Sequence, residues 1–420
     1  MAKLRLLVSR LAVPNLILCQ SRLCRMGRLA GVAALVAIIA GSLPRTGQAQ
    51  RPADAFQTAA PYAILIDADS GSVLFEKAAD QLTFPASMAK LMTIEVVFHE
   101  IKEGRLDRET EFTVSENAWR RGGAPSGGSA MFAQLNSRVT VMDLLYGVIV
   151  QSGNDACIVL AEGMAGNEPS FAAMMNKRAR ELGLTKSYFT NASGLHDPDL
   201  KVTMRELAKL AQHIFKTYPE FYKIFNEREF TWNRIRQQNR NPLLTMGIGT
   251  DGLKTGYTKE AGYGVVASAV QSGLRLIVAV NGLKTAKDRV DEARKLLEWG
   301  FRAFESRLLF AEGETVGEAK LYGGAKGRVP LTGERPIRLL LPRGSSEKIV
   351  ARIVYTGPVP APVEQGQPIG QLKVSRGDNV VLEEPLRAAE SIPRGNLAQR
   401  AFDAASELVV GLFRAGAERL

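Results

Sequence analysis

Three short motifs stand in order along this chain, and they constrain its fold more than any other feature: Ser87-Met88-Ala89-Lys90, Ser152-Gly153-Asn154 and Lys254-Thr255-Gly256. If they act together, segments far apart in sequence must meet at one place. Singly each is weak evidence, because S-x-x-K recurs at Ser345 to Lys348 and S-x-N at Ser115 to Asn117. The K-T-G triplet occurs once, Ser345 lies beyond it, and Ser87 opens the ordered set at the start of a helix-like run.

With 420 residues, 45% of them hydrophobic, the chain can bury at least one large core and has room for two or three domains. The apolar run Leu29 to Ala40 is too short to span a bilayer comfortably; it follows Arg22, Arg25 and Arg28 and precedes the small-x-small pattern Gly47-Gln48-Ala49. Residues 1–49 therefore read as a secretory signal peptide, with Met26, which gives Met-Gly-Arg followed directly by the run, as the true start. Removing them takes away Lys3, Arg5, Arg10, Arg22, Arg25, Arg28 and Arg45 and no acidic residue, so the formal net charge of +11 falls to +4. No nucleic-acid partner is read from the charge; a mildly basic chain suits an anionic wall or membrane surface.

Cys19 and Cys24 fall inside the leader, leaving Cys157 alone in an apolar helical run, where it reads as a buried small hydrophobe. Three histidines, His99, His196 and His213, form no H-E-x-x-H and no Cys/His cluster, so no metal site or cofactor is expected.

Alternation from Tyr62 to Glu76 around Asp69-Ser70-Gly71 predicts a hairpin, followed by an extended stretch from Leu82 to Pro85. Apolar residues at helical spacing from Ser87 to Glu103 predict a helix that puts Ser87 and Lys90 one turn apart on one face. Further helices are expected at Val141–Val150, Asp155–Met164, Ser170–Leu182, Met204–Phe215 and Asp288–Phe304, with a Gly-rich loop from Gly122 to Gly128. Strands are expected at Leu253–Gly256, Gly264–Val270 and Leu274–Asn281, the last two joined at Ser272-Gly273. After Leu308 the composition shifts to short β-like segments. The reading is thus an α/β (α+β) domain over residues 56–304, a small all-β domain over 308–393, and an amphipathic helix within 396–420. In that helix Leu397, Ala401, Ala405, Leu408 and Leu412 make an apolar stripe that either docks on its own protein or lies in a membrane interface, and its position at the end of the chain after a Pro-Arg-Gly break favours the membrane.

A serine hydroxyl needs a base, and Lys90 can serve only when neutral. At an unperturbed pKa of about 10.4, roughly one lysine in 2,500 is neutral at pH 7. Burial and a like charge from Lys254 would both lower that pKa. Ser152 can relay a proton to a departing amine, and Asn154 offers a donor and an acceptor to orient substrate and Lys90. Ser-Gly-Asn before a helix is also what a helix cap looks like. Lys254 and Thr255 present charge and a hydroxyl to a carboxylate, and Gly256 would let a substrate backbone approach the strand edge.

This motif set resembles that of the low-molecular-mass penicillin-binding proteins of the D-alanyl-D-alanine carboxypeptidase family, with S-G-N where S-D-N is usual. The resemblance runs through Phe84 to Thr93, Gln151 to Ala156 and Asp251 to Thr258. It implies a β-lactamase/transpeptidase-like fold with a five-stranded antiparallel sheet and helices, then a β-rich stalk and a membrane-anchoring helix on the periplasmic side of the inner membrane. It implies a peptidoglycan stem pentapeptide as substrate, β-lactams as covalent inhibitors, and Ser87 as the nucleophile that releases the last D-Ala. The oxyanion would sit on the backbone N–H groups of Ser87 and Tyr257. Arg240 and Arg289 match family positions near the terminal carboxylate. Tyr257 stands where relatives often carry His, so only its backbone role transfers.

Three other readings compete. A β-lactamase would need a deacylating Glu, and no E-x-x-L-N element lies between Ser152 and Lys254. A D,D-endopeptidase would break the same type of bond with a larger leaving group. A wall-binding or penicillin-sensing protein would keep the fold without turnover.

Overall fold

The structure is a computed structural model that describes residues 5–8, 56–344, 348–376 and 379–405. Most of the expected leader, and the C-terminal helix beyond residue 405, lie outside the described residues. Arg5–Val8, inside the expected leader, forms a short strand that pairs in parallel with Ile349–Tyr355 at a sheet edge.

The first domain is built on five antiparallel strands in the order Val73–Lys77, Tyr62–Asp67, Leu274–Leu283, Gly262–Gln271 and Thr250–Thr258. Both faces of this sheet are covered, which explains why its central strands read as nearly continuous apolar runs. Successive side chains point to opposite faces. Ile64 and Ile66, with Ile277 and Ala279, enter the core shared with the helices on one side. Ala63 and Leu65, with Leu276, Val278 and Val280, face the helix Ala286–Ala303 on the other. That helix comes so close at Gly300 that a Cβ there would stand 2.6 Å from Leu276 and 2.7 Å from Leu65. Truncating Leu65 to Ala would cost about 2–5 kcal/mol.

The opposite face carries the helices Lys90–Lys102, Asn154–Ala165, Glu168–Glu181 and Met204–Thr217, whose apolar stripes share one core. Their N-terminal caps follow from sequence: Asn167 and Thr203 accept from the backbone N–H of Ser170 and Glu206. On the first of these helices Glu95 is fully buried. It accepts from Arg178 Nε at 2.9 Å and Tyr218 Oη at 3.0 Å, with His213 Nε2 at 3.3 Å.

Two expectations need adjustment. Ser87 lies in a 3₁₀ turn, Ala86–Ala89, and the α-helix starts at Lys90. The helix expected to reach Val150 ends as α-helix at Tyr146 and closes with a π turn over Gly147–Gln151, after which Ser152 takes a left-handed conformation with φ 66°. The exposed hairpin Glu229–Trp232/Ile235–Gln238 has no counterpart in the sequence reading.

Strand Phe304–Phe310 follows the last helix directly and begins an all-β second domain with its own core around Leu331, Leu339, Ile353 and Leu372. It touches the first domain through Ser72 Oγ, which donates to the Val381 carbonyl at 3.2 Å.

Candidate active site

Local structure fixes each motif in turn. The Ser87 turn is held from the sheet by Asn281, whose Nδ2 donates to the Phe84 carbonyl at 2.9 Å. Its other side is walled by Gly194, where a Cβ would fall 2.0 Å from the Ala86 carbonyl. Gly256 on the edge strand Thr250–Thr258 packs just as closely, since a Cβ there would meet Pro85 O at 2.8 Å and Met88 N at 3.2 Å. The glycine of K-T-G is therefore required by the approach of the strand to the Ser87 turn. The sequence reading assigned it to substrate approach, and the direction of its missing side chain gives a different reason.

Lys90 is fully buried and reaches three oxygens. Its Nζ lies 2.9 Å from Ser87 Oγ and 2.7 Å from Asn154 Oδ1, and it also donates to the Ser193 carbonyl. A neutral amine has two N–H bonds and one lone pair. Asn154 and Ser193 can occupy both N–H bonds, which leaves the lone pair directed at the Ser87 hydroxyl. Burial lowers the Lys90 pKa, with partial opposition from the Asp155 carboxylate.

Lys254 is also buried, and its Nζ donates to the Thr255 carbonyl at 3.4 Å. Its pKa is pushed well below the ordinary lysine value, first by burial, then by Lys90, with Arg240 and Arg289 adding to the repulsion. Arg289 is itself lowered by burial, and its Nε is buried without a hydrogen-bond partner. Arg240 is exposed, and its backbone N–H donates to the Val150 carbonyl at 3.1 Å, tying its loop to the turn before Ser152. The result is a cationic cluster around Lys254. An incoming carboxylate relieves the repulsion and favours the protonated lysine.

Ser152 is buried and does not cap the following helix; the N-cap is Gly153, with no side-chain bond. A left-handed non-glycine residue costs of order 1–3 kcal/mol and persists where its surroundings hold it. Asn154 serves the site through Lys90, and its backbone N–H donates to Ser129 O at 2.8 Å. Tyr257 is 53% exposed, and its ring stacks on Tyr263 at 4.1 Å.

Two further parts of the site had no role in the sequence reading. The Ser193 carbonyl is presented by a loop that Asn191 Oδ1 organises, accepting from Ser193 N and Gly194 N at 3.2 and 2.7 Å. Its signal is Asn-x-Ser-Gly, a side chain bonding its own backbone two and three residues on. Asp155 accepts from Met131 N at 2.9 Å and Ala133 N at 3.2 Å, and so fixes the loop facing the S-G-N turn. Cys157 is buried, and burial pushes its thiol up to about 12, as an inert packing residue should be. Among the described residues, no group of His, Cys, Asp and Glu could hold a metal ion.

Comparison with known proteins places the two domains in a family. Residues 47–285 match the family model for D-alanyl-D-alanine carboxypeptidase, and residues 304–394 match that for the C-terminal domain of penicillin-binding protein 5. The D-alanyl-D-alanine carboxypeptidase DacC of Escherichia coli is 38% identical over 378 residues, covering 89% of this chain and 94% of that protein. The structure of penicillin-binding protein 5 from Haemophilus influenzae superposes with a TM-score of 0.72 at 38% identity, covering 81% of this chain and 99% of that one. Penicillin-binding protein D2 from Listeria monocytogenes, solved in its cefotaxime-bound form, gives a TM-score of 0.54 at 30% identity over 59% of this chain and 99% of its own. A buried lysine aimed at a serine, a cationic cluster on a strand edge and a β-rich second domain thus come together in a chain that belongs to the D-alanyl-D-alanine carboxypeptidase family of penicillin-binding proteins.

Proposed function

We propose that this chain removes the terminal D-alanine from peptidoglycan stem pentapeptides through an acyl-enzyme on Ser87. The observation that carries the reading is the placement of Lys90 Nζ, with two acceptors for its N–H bonds and its third direction toward Ser87 Oγ. Neutral Lys90 takes the Ser87 proton as Oγ bonds to the penultimate carbonyl carbon. The oxyanion is met by the backbone N–H groups of Ser87 and Tyr257. As the C–N bond to the last residue breaks, the proton passes through the Ser152 hydroxyl to the departing amine. Water, deprotonated by the same lysine, then attacks the ester and restores the Ser87 hydroxyl. Lys254, Thr255, Arg240 and Arg289 hold the terminal carboxylate and fix the register of the scissile bond.

A β-lactam presents a strained amide and a carboxylate to the same groups, so it should acylate Ser87. Intact-protein mass spectrometry after incubation with a penicillin tests this. One adduct per chain, mapped to Ser87 and absent from Ser87→Ala, is expected; an adduct that persists in Ser87→Ala would refute the assignment.

The mature protein acts outside the inner membrane, exported by the residue 1–49 leader and held at the membrane surface by the C-terminal helix. No helix among the described residues is long and apolar enough to cross a membrane. Support for surface attachment comes from the described start of that helix. Its polar residues face the second domain: Asp403 accepts from Gly323 N, and Gln399 Nε2 donates to Ala325 O. Leu397 and Phe402, by contrast, are 80% and 75% exposed. Deleting residues 396–420 should release the protein from membranes with catalysis unchanged. Unchanged pelleting of the truncated form would refute the anchor.

A further inference from the structure

The direction of the strand Thr250–Thr258 settles where the rest of a bound substrate must run. On the proposed reading, on which this inference rests, the terminal carboxylate lies at Lys254 and Thr255, and the carbonyl under attack lies at the Tyr257 N–H. Residues upstream of the cleaved bond therefore leave the site past Tyr257, toward the turn at Lys259. Beyond Tyr257 the surface opens into a groove of 610 Å³, lined among others by Phe84, Lys201, Tyr257, Lys259, Glu260 and Lys284.

The chemistry of this groove is distinct from that of the carboxylate cluster. Tyr257, exposed and stacked on Tyr263, forms an aromatic shelf at its entrance. Three lysines line it, and none of them forms an ion pair with a described residue. Lys201 Nζ sits over the Phe84 ring at 3.2 Å from its centre, while Lys259 and Lys284 are exposed. The acid in the lining, Glu260, faces His196 Nδ1 at 3.8 Å and leaves the lysines in excess. Such a surface favours a flexible chain that carries carboxylates and offers apolar side chains to the shelf.

We propose that this groove is a subsite for carboxylate-bearing stem residues upstream of the D-Ala-D-Ala pair, so that the chain discriminates substrates by acidity at a position remote from the bond it cuts. Exposed charge pairs are worth about 0.2–1 kcal/mol each, so two of them give a preference of about two- to thirtyfold.

The test compares two synthetic pentapeptides ending in D-Ala-D-Ala, one with a free α-carboxylate on its γ-linked D-glutamate and one with that group amidated. The wild type should favour the acidic peptide in kcat/KM by about two- to thirtyfold at low salt, with the preference shrinking at high ionic strength as exposed pairs are screened. In a Lys259→Ala, Lys284→Ala double variant the ratio should fall to about one while kcat for the amidated peptide is kept. Folding damage would instead slow both peptides equally. A wild type without preference, or a double variant that keeps it, overturns the subsite. A wild type that releases D-Ala from neither peptide overturns the carboxypeptidase reading itself, and the subsite with it.

Discussion

Lys90 Nζ stands 2.9 Å from Ser87 Oγ and is fully buried, with no carboxylate among the described residues in hydrogen-bonding contact with it. A lysine held this way is stabilised as an amine, the state that the proposed mechanism requires. Lys90→Met should reduce kcat/KM for D-Ala release by about 10²–10⁴, the usual contribution of a positioned base. Because the neutral form is active, acylation by a penicillin should rise with pH, along a limb below the ordinary lysine range of about 10.4. Stopped-flow acylation across pH checks both, and a limb at the ordinary lysine value would contradict the burial argument.

Lys254 couples activity to stability with opposite signs. Burial and its cationic neighbours depress its pKa, so the unfolded chain binds more protons than the folded one. The resulting cost is complete below the depressed folded pKa, and it shrinks as pH rises from there to the unfolded value of about 10.4. Lys254→Met should therefore have a higher Tm than the wild type at neutral pH, converging with it near pH 10, while D-Ala release is severely reduced. Calorimetry at several pH values checks the convergence.

The close contact at Gly256 makes Gly256→Ala a test of how the strand and the Ser87 turn fit. Its Cβ has backbone atoms at 2.8 and 3.2 Å, so the turn or the strand must move. Overpacking of this kind costs about 1–3 kcal/mol. Penicillin acylation should slow with it, because the displaced residue is the nucleophile's own neighbour. A variant with wild-type acylation would show that the turn is softer than its packing indicates.

Asp155 holds the loop beneath the S-G-N turn by accepting from two of its backbone N–H groups. Asp155→Ala strands both donors in a buried setting, at about 1–3 kcal/mol each before relaxation. The variant should unfold at lower denaturant and acylate more slowly. Asp155→Asn, which keeps one acceptor oxygen, should recover part of both.

Much of this arrangement was legible in the sequence, for identifiable reasons. The strands Gly262–Gln271 and Leu274–Leu283 announce themselves because both faces are buried and the Ser272-Gly273 turn takes positive φ at both residues. The helix after Ser87 follows from its spacing. Less visible were contacts between segments distant in sequence. The Ser193 carbonyl reaches Lys90 across 103 positions, and a backbone oxygen leaves no residue-type signature. The hairpin Glu229–Trp232/Ile235–Gln238 turns at Asn233-Arg234, a pair without glycine, and much of it is exposed, so neither turn chemistry nor burial marks it. Gly256 was legible as a required glycine, but its reason lay in Pro85 and Met88, which only the fold brings near.

The most direct test is D-Ala release from a stem pentapeptide, measured for the mature protein, for Ser87→Ala, and beside a crosslinked dimer as competing substrate. Release by the wild type that vanishes in Ser87→Ala is the predicted result. A wild type that leaves the pentapeptide intact but cleaves the dimer would contradict the carboxypeptidase assignment and make the protein an endopeptidase on the same site.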